Sequence, residues 1–207
     1  MRYPNFSEEK KLQRLGYGLV IGLDEAGRGP LAGPVVAAAV LIKSSQGINF
    51  GIKDSKKLTP QKREEIYNIL KNNPIIEWGI GRVSEKVIDR INILEATKLA
   101  MKRAVKNLKL ETCNLKPYLV IDGNFPINLN TPQKSIVKAD KKVLSCSLAS
   151  IVAKVTRDRM MTRYHKKYPQ YSFSRHKGYP TKLHRKALKE YGPSVVHRMT
   201  FAPLKKL

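Results

Sequence analysis

Strand-length apolar runs alternating with amphipathic stretches of helix length predict an α/β layer architecture for this chain. Three observations carry that reading: two short apolar runs, 19–24 and 34–42, flank a Gly-Pro-rich loop; apolar residues recur at helical spacing over 84–107 and 143–165; and Tyr118-Leu119-Val120-Ile121 stops at the turn signal Asp122-Gly123. The first two runs read as a hairpin with the loop between its strands. Thr59 offers a capping hydroxyl and Pro60 suits a first helical position, so a helix starts there with Ile66, Ile69 and Leu70 as its apolar stripe. Residues 75–83 form the next strand. Ser84 then caps a longer helix on which Val87, Ile88, Ile91, Leu94, Ala100 and Val105 recur to about Asn107. From about Val143 to His165 the pattern turns Leu144, Leu148, Ile151, Val152 and Val155 inward, while Ala149 and Ala153 permit close packing. A last helix runs from about Thr181 to Tyr191 and stops at Gly192-Pro193. No linker or repeat interrupts the pattern, so one domain, 1–207, is expected, with a core over about 17–170 and a helical extension over about 171–207.

At 207 residues the chain is long enough for one substantial core. Forty basic residues against sixteen acidic ones leave +24, which predicts a polyanionic partner, nucleic acid first. An anionic membrane surface competes, but no run reaches about eighteen apolar residues and no polybasic cluster flanks a long apolar helix. Met1 to Phe6 lead into Glu8-Glu9-Lys10-Lys11 without the apolar stretch of a signal peptide, so a cytoplasmic protein is expected. Cys113 and Cys146 are too few and too unpatterned for a disulfide framework or a zinc site.

The chemistry concentrates in Gly22-Leu23-Asp24-Glu25-Ala26-Gly27-Arg28-Gly29-Pro30 and continues to Gly33-Pro34. Carboxylates ending a strand can hold a hard cation, and residues without side chains let backbone N–H groups approach a phosphate or sugar. Successive strand residues face opposite ways, so Asp24 and Glu25 share a site only if the pleat ends there, which the glycines make easy. With Asp122 ending a neighbouring strand, three carboxylates converge; their repulsion calls for a divalent cation, and oxygen-only ligands favour magnesium or manganese over zinc. A nucleophilic serine lacks its Gly-x-Ser-x-Gly setting, and the four histidines all fall between 165 and 197. Gly27-x-Gly29 leads to Pro30 and a Val/Ala strand, not to the helix that a dinucleotide site requires. His184, Arg185, His197 and Arg198 form a basic group able to hold a duplex, although a surface or hydrogen-bonded structural role fits the histidines equally well, and Ser150 and Lys154, four apart, share a helix face.

The segment from Gly22 to Pro34 resembles the first motif of ribonuclease HII, the type 2 ribonuclease H. Further matches follow in order: Lys53-Asp54-Ser55-Lys56-Lys57-Leu58, Ile121-Asp122-Gly123-Asn124, the run from Ala149 to Asp158, His176-Lys177-Gly178-Tyr179-Pro180-Thr181, and Tyr191-Gly192-Pro193-Ser194 with His197-Arg198 and Phe201-Ala202-Pro203. The resemblance implies a ribonuclease H-like mixed sheet flanked by helices, with a helical C-terminal extension. It also implies an endonuclease that hydrolyses the RNA strand of RNA–DNA hybrids and cuts 5′ to ribonucleotides embedded in duplex DNA. The products would be a 3′-hydroxyl and a 5′-phosphate, and the roles ribonucleotide excision repair and RNA primer removal; a monomer is expected.

Residue by residue, the resemblance assigns Asp24, Glu25, Asp122 and Asp140 as catalytic acids holding Mn²⁺ or Mg²⁺, although Ala139 stands where the family usually has glycine. Gly27, Arg28 and Gly29 would read the 2′-hydroxyl, the group that separates RNA from DNA. Ser55, Lys56, Ser150 and Lys154 would contact phosphates or backbone, and Tyr164 would pack against the sugar beyond the ribose. Arg28 also separates the loop from that of ribonuclease HIII, which has a different basic residue there. A non-catalytic duplex-binding protein would explain the charge but not the acids. A related nuclease indifferent to the 2′-hydroxyl would explain both.

Overall fold

The computed structural model describes residues 3–44, 58–108 and 115–206. Its elements in chain order are α1 (Ser7–Arg14), β1 (Leu19–Ala26), β2 (Val35–Ile42), α2 (Pro60–Lys71), β3 (Ile76–Val83), α3 (Glu85–Lys106), β4 (Pro117–Asp122) and β5 (Gln133–Ile136). A 3₁₀ turn at Ala139–Lys141 precedes α4 (Leu144–Lys167), and α5 (Phe173–His176) and α6 (Lys182–Tyr191) follow. β1, β2 and β3 are antiparallel neighbours, as the hairpin reading expects, whereas β4 and β5 join in parallel beyond β1. The result is a mixed five-stranded sheet in the order β3-β2-β1-β4-β5.

The interior strand β2, Val-Val-Ala-Ala-Ala-Val-Leu-Ile, is buried along its whole length because helices cover both faces. Ala37 and Ala39 meet Ala96, Ala100 and Ala104 of α3, while Ala38, Val40 and Ile42 meet Leu148, Ile151 and Val152 of α4 and Ile66 and Leu70 of α2. Small residues in the strand let both helix layers press close, and each fully buried Leu or Ile adds roughly 1.5–3 kcal/mol over an exposed one. The layer on the α4 face is closer still at Gly22, where a Cβ would lie 2.4 Å from the Cys146 nitrogen.

Thr59 and Thr181 cap their helices through their hydroxyls, accepting from the Lys62 and His184 N–H groups. Ser84 occupies the cap position of α3 without making a side-chain bond there. α3 is not the continuous helix that its periodicity predicts. Asn92 takes φ 65°, and its side-chain oxygen accepts from the N–H groups of Leu94 and Glu95, restarting the helix beyond the kink. Three elements were not expected from the sequence: α1, the short polar edge strand β5 and the single turn α5. α1 supplies what α4 lacks: Val143 offers no capping side chain, and the buried Glu9 carboxylate accepts from both the Ser145 N–H and its hydroxyl at 2.8 Å.

The C-terminal helices pack on Tyr171, Phe173, Leu188, Val196 and Leu204, a cluster that also takes in Leu31, Ala32 and Met161. The loop after β1 is therefore one wall of the C-terminal extension.

Candidate active site and metal centre

Asp24 lies on β1 on the side of Ala26, which packs with α4, and Asp122 ends β4, the strand beside it. β1 continues through Glu25 to Ala26, so the pleat does not end at the acid pair as expected. Glu25 consequently falls on the alternate side. Its N–H donates to Asp24 Oδ1 at 2.6 Å, and its carboxylate meets the Arg28 guanidinium at 3.4 Å. The third member of the cluster is Asp140, fully buried in the 3₁₀ turn. Oxygens of Asp24, Asp122 and Asp140 lie within 4.8 Å of one another.

That turn is tied to β4 by the Ala139 N–H, which donates to Asp122 Oδ1 at 2.9 Å. The residue in left-handed conformation is Lys138, φ 59°, so position 139 accepts the alanine Cβ without strain. Burial, then the Glu25 and Asp122 carboxylates, hold the Asp24 carboxyl well above the ordinary range, while the Ser150 hydroxyl and the Glu25 N–H pull it back down. Three carboxylates so close, one of them 5% exposed, fit a hard divalent cation, whose charge would relieve that repulsion.

The loop 27–34 follows directly, and two buried arginines shape it. Arg157 of α4 donates to the carbonyls of Ala32, Pro34 and Lys177, and Arg198 donates to those of Gly27, Arg28 and Gly33. Arg198 is thus no duplex contact, correcting the expectation of an exposed C-terminal basic group; it is fully buried, and burial first, then Arg157, lowers its pKa to about 9. In a trans peptide the C=O and the next N–H point oppositely. With the carbonyls of Gly27 and Arg28 on Arg198, the N–H groups of Arg28 and Gly29 are turned away from it. Gly27, at φ +101°, could carry no side chain, because a Cβ would lie 2.1 Å from Arg157 Nε.

A cleft opens here, lined by Glu25, Gly27, Arg28, Gly29, Arg63, Ser150, Lys154 and Tyr179. Ser150 hydrogen-bonds Asp24, so it orients an acid; Lys154 donates to Asp158 at 2.7 Å. Ser55 and Lys56 lie outside the described residues. Tyr164 is placed elsewhere. It sits fourteen residues beyond Ser150, about 21 Å along α4, and hydrogen-bonds Glu85; burial, then Glu85, pushes its pKa up to about 12. The tyrosine beside Gly29 is Tyr179, which has no role in the sequence analysis although it lies within the His176–Thr181 motif.

His184 and His197 are buried partners, not surface bases. Ser194 N–H donates to His197 Nδ1, the two Nε2 atoms meet at 3.0 Å, and His184 Nδ1 reaches the Tyr179 carbonyl. The chain of bonds suits two neutral rings and fixes the backbone of Tyr179.

The family model for ribonuclease HII matches residues 21–204. The chain belongs to the ribonuclease HII family. It is 52% identical over 193 residues to a ribonuclease HII of Acetivibrio thermocellus, covering 93% of this chain and 73% of that one. Over 205 residues it is 47% identical to a ribonuclease HII of Wolbachia pipientis, covering 99% of each. Among solved structures, ribonuclease H2 of Pyrococcus horikoshii OT3 is similar with a TM-score of 0.72 at 30% identity, covering 91% of this chain and 96% of that one. The chain is accordingly an endoribonuclease of the ribonuclease H type, from a family acting on RNA in RNA–DNA hybrids. No helix among the described residues is long and apolar enough to cross a membrane.

Proposed function

We propose that this chain cuts on the 5′ side of ribonucleotides embedded in duplex DNA as well as within RNA–DNA hybrids, leaving a 3′-hydroxyl and a 5′-phosphate. It would work as a cytoplasmic monomer, a single catalytic domain over 1–207, in ribonucleotide excision repair and primer removal. The observation that carries this reading is the placement of the trio Asp24, Asp122 and Asp140, the first and last of them buried, beside a glycine loop whose carbonyls are turned inward on Arg198.

Asp24, Asp122 and Asp140 would hold Mn²⁺ or Mg²⁺, with Glu25 at the rim; the cation would activate water and neutralise charge on the phosphate. Ser150 orients Asp24, and the Ala139 N–H orients Asp122. The N–H groups of Arg28 and Gly29, turned from Arg198, are donors for a 2′-hydroxyl, and the Arg28 guanidinium, 43% exposed, reaches a phosphate from the same loop. Lys154 adds a cation to the cleft, and Tyr179 takes the sugar-packing role that the sequence reading gave to Tyr164.

The test is incubation with Mg²⁺ or Mn²⁺ of duplex DNA containing one ribonucleotide, beside an all-DNA control. A single cut 5′ to the ribonucleotide is expected. Equal cutting of the control would replace this reading with a nuclease indifferent to the 2′-hydroxyl.

A further inference from the structure

We propose that the open edge of β3 forms an anion-binding groove for the phosphate backbone of a nucleic acid, separate from the acid cluster. Arg103 of α3 reaches over this edge to donate to the Arg82 carbonyl at 2.7 Å, and Asn107 donates to the Ile80 carbonyl at 2.9 Å. In an antiparallel strand a residue's N–H and C=O face the same side. The N–H groups of Ile80 and Arg82 therefore share that edge, where the acceptors are already engaged and donors remain. Arg82 from the strand and Arg163 from α4 add guanidinium groups to the groove, and neither forms an ion pair among the described residues. The buried Thr156 hydroxyl oxygen on its wall has no hydrogen-bond partner. No described carboxylate lines the groove. A site of donors and planar guanidinium forks without acids selects a phosphate-bearing anion.

Position favours a nucleic acid over an acidic protein. Ile80 pairs with Ala38, which pairs with Asp24, so the groove begins two strand spacings, about 10 Å, from the Asp24 backbone. At about 3.4 Å of axis per base pair that is roughly three base pairs from the bond being cut. The inference rests on the duplex-cleaving function proposed above.

The test compares the wild type, an Arg82→Gln/Arg163→Gln variant and a Lys10→Gln/Lys11→Gln control that removes the same charge from exposed positions on α1. Affinity for an all-DNA duplex of about 30 base pairs is measured without divalent cation across a salt series, where each lost phosphate contact lowers the log–log slope by roughly 0.9. The arginine variant is expected to lose roughly one to two units of slope and roughly tenfold or more in affinity at low salt, with the control near wild type. Its single-turnover cleavage at saturating enzyme should match wild type. An unchanged slope in the arginine variant overturns the groove, as does an equal loss in the control, which would reflect net charge alone. So does an arginine variant that loses binding of poly-glutamate but not of DNA. If the wild type fails to cut the single-ribonucleotide duplex, the proposed function falls while the slope comparison still reads the groove.

Discussion

Asp140 illustrates how one residue's role depends on a turn that propensity does not reveal. Asp24, Glu25 and Asp122 stand out in the chain because they follow apolar runs and precede glycine turns, whereas Asp140 sits among lysines where a helix-end charge is the simpler reading. Its full burial within 4.8 Å of the other two aspartates makes it an equal member of the trio. Asp122→Asn and Asp140→Asn should each lower single-turnover cleavage by about 100-fold or more, beyond the 10–100-fold typical of losing a supporting bond to a metal ligand. Duplex affinity, carried by the basic surface, should survive both. Near-normal cleavage by Asp140→Asn at saturating Mg²⁺ would remove it from the site. Substrate selection separates two tyrosines in the same way. Arg28→Ala and Tyr179→Ala should reduce cleavage at a lone ribonucleotide by about 1–3 kcal/mol in activation free energy, more than they reduce duplex affinity. Tyr164→Phe should change stability only, because its hydroxyl serves Glu85. Matched single-turnover rates and binding constants on duplexes with and without the ribonucleotide decide between them.

Among the elements, the loop 27–34 was legible as a glycine-rich turn after β1, but its support was not. Arg157 and Arg198 come from α4 and from the C-terminal segment, more than 120 residues away, and nothing in their local sequence distinguishes them from the surface arginines around them. Arg198→Met leaves the carbonyls of Gly27, Arg28 and Gly33 without their donor, which should cost about 2–4 kcal/mol. A lower denaturant midpoint at unchanged m-value reads that loss, and cleavage should fall with it even under conditions where the variant stays folded. The histidine pair gives the C-terminal extension a pH dependence. Burial holds His184 and His197 down to about 4, against 6.5 for the unperturbed group. The unfolded chain then binds more protons between those values, so the stability contributed by the neutral rings is complete above about pH 6.5 and lost as pH falls towards 4. The ring resonances of both should stay unprotonated down to about pH 5 in an NMR titration. Titration of either near 6.5 would show that the pair is open to water.

For the molecule as a whole, forty basic residues against sixteen acidic ones leave +24, so duplex binding should be steeply salt-dependent, with a slope of roughly 0.9 per neutralised phosphate. A flat salt titration of a cleavage-dead variant would separate the charge from the substrate surface. The α/β layering, the β1–β2 hairpin, the capped helix α2, the helix α6 and Asp122 at the end of β4 were all readable from the chain, because hydrophobic period, capping residues and glycine turns act between neighbours. The kink at Asn92, the polar edge strand β5, the capping of α4 by Glu9 and the meeting of Asp140 with Asp24 were settled only by tertiary structure. Each depends on a hydrogen bond or close approach between segments far apart in sequence, or on a side chain replacing a backbone partner. The sequence by itself marked candidates, acids suited to a cation and a glycine loop suited to a sugar; packing of α4 and the C-terminal segment against that loop decided which of them lie together, because burial and donor direction are properties of the folded surface and not of the residue type.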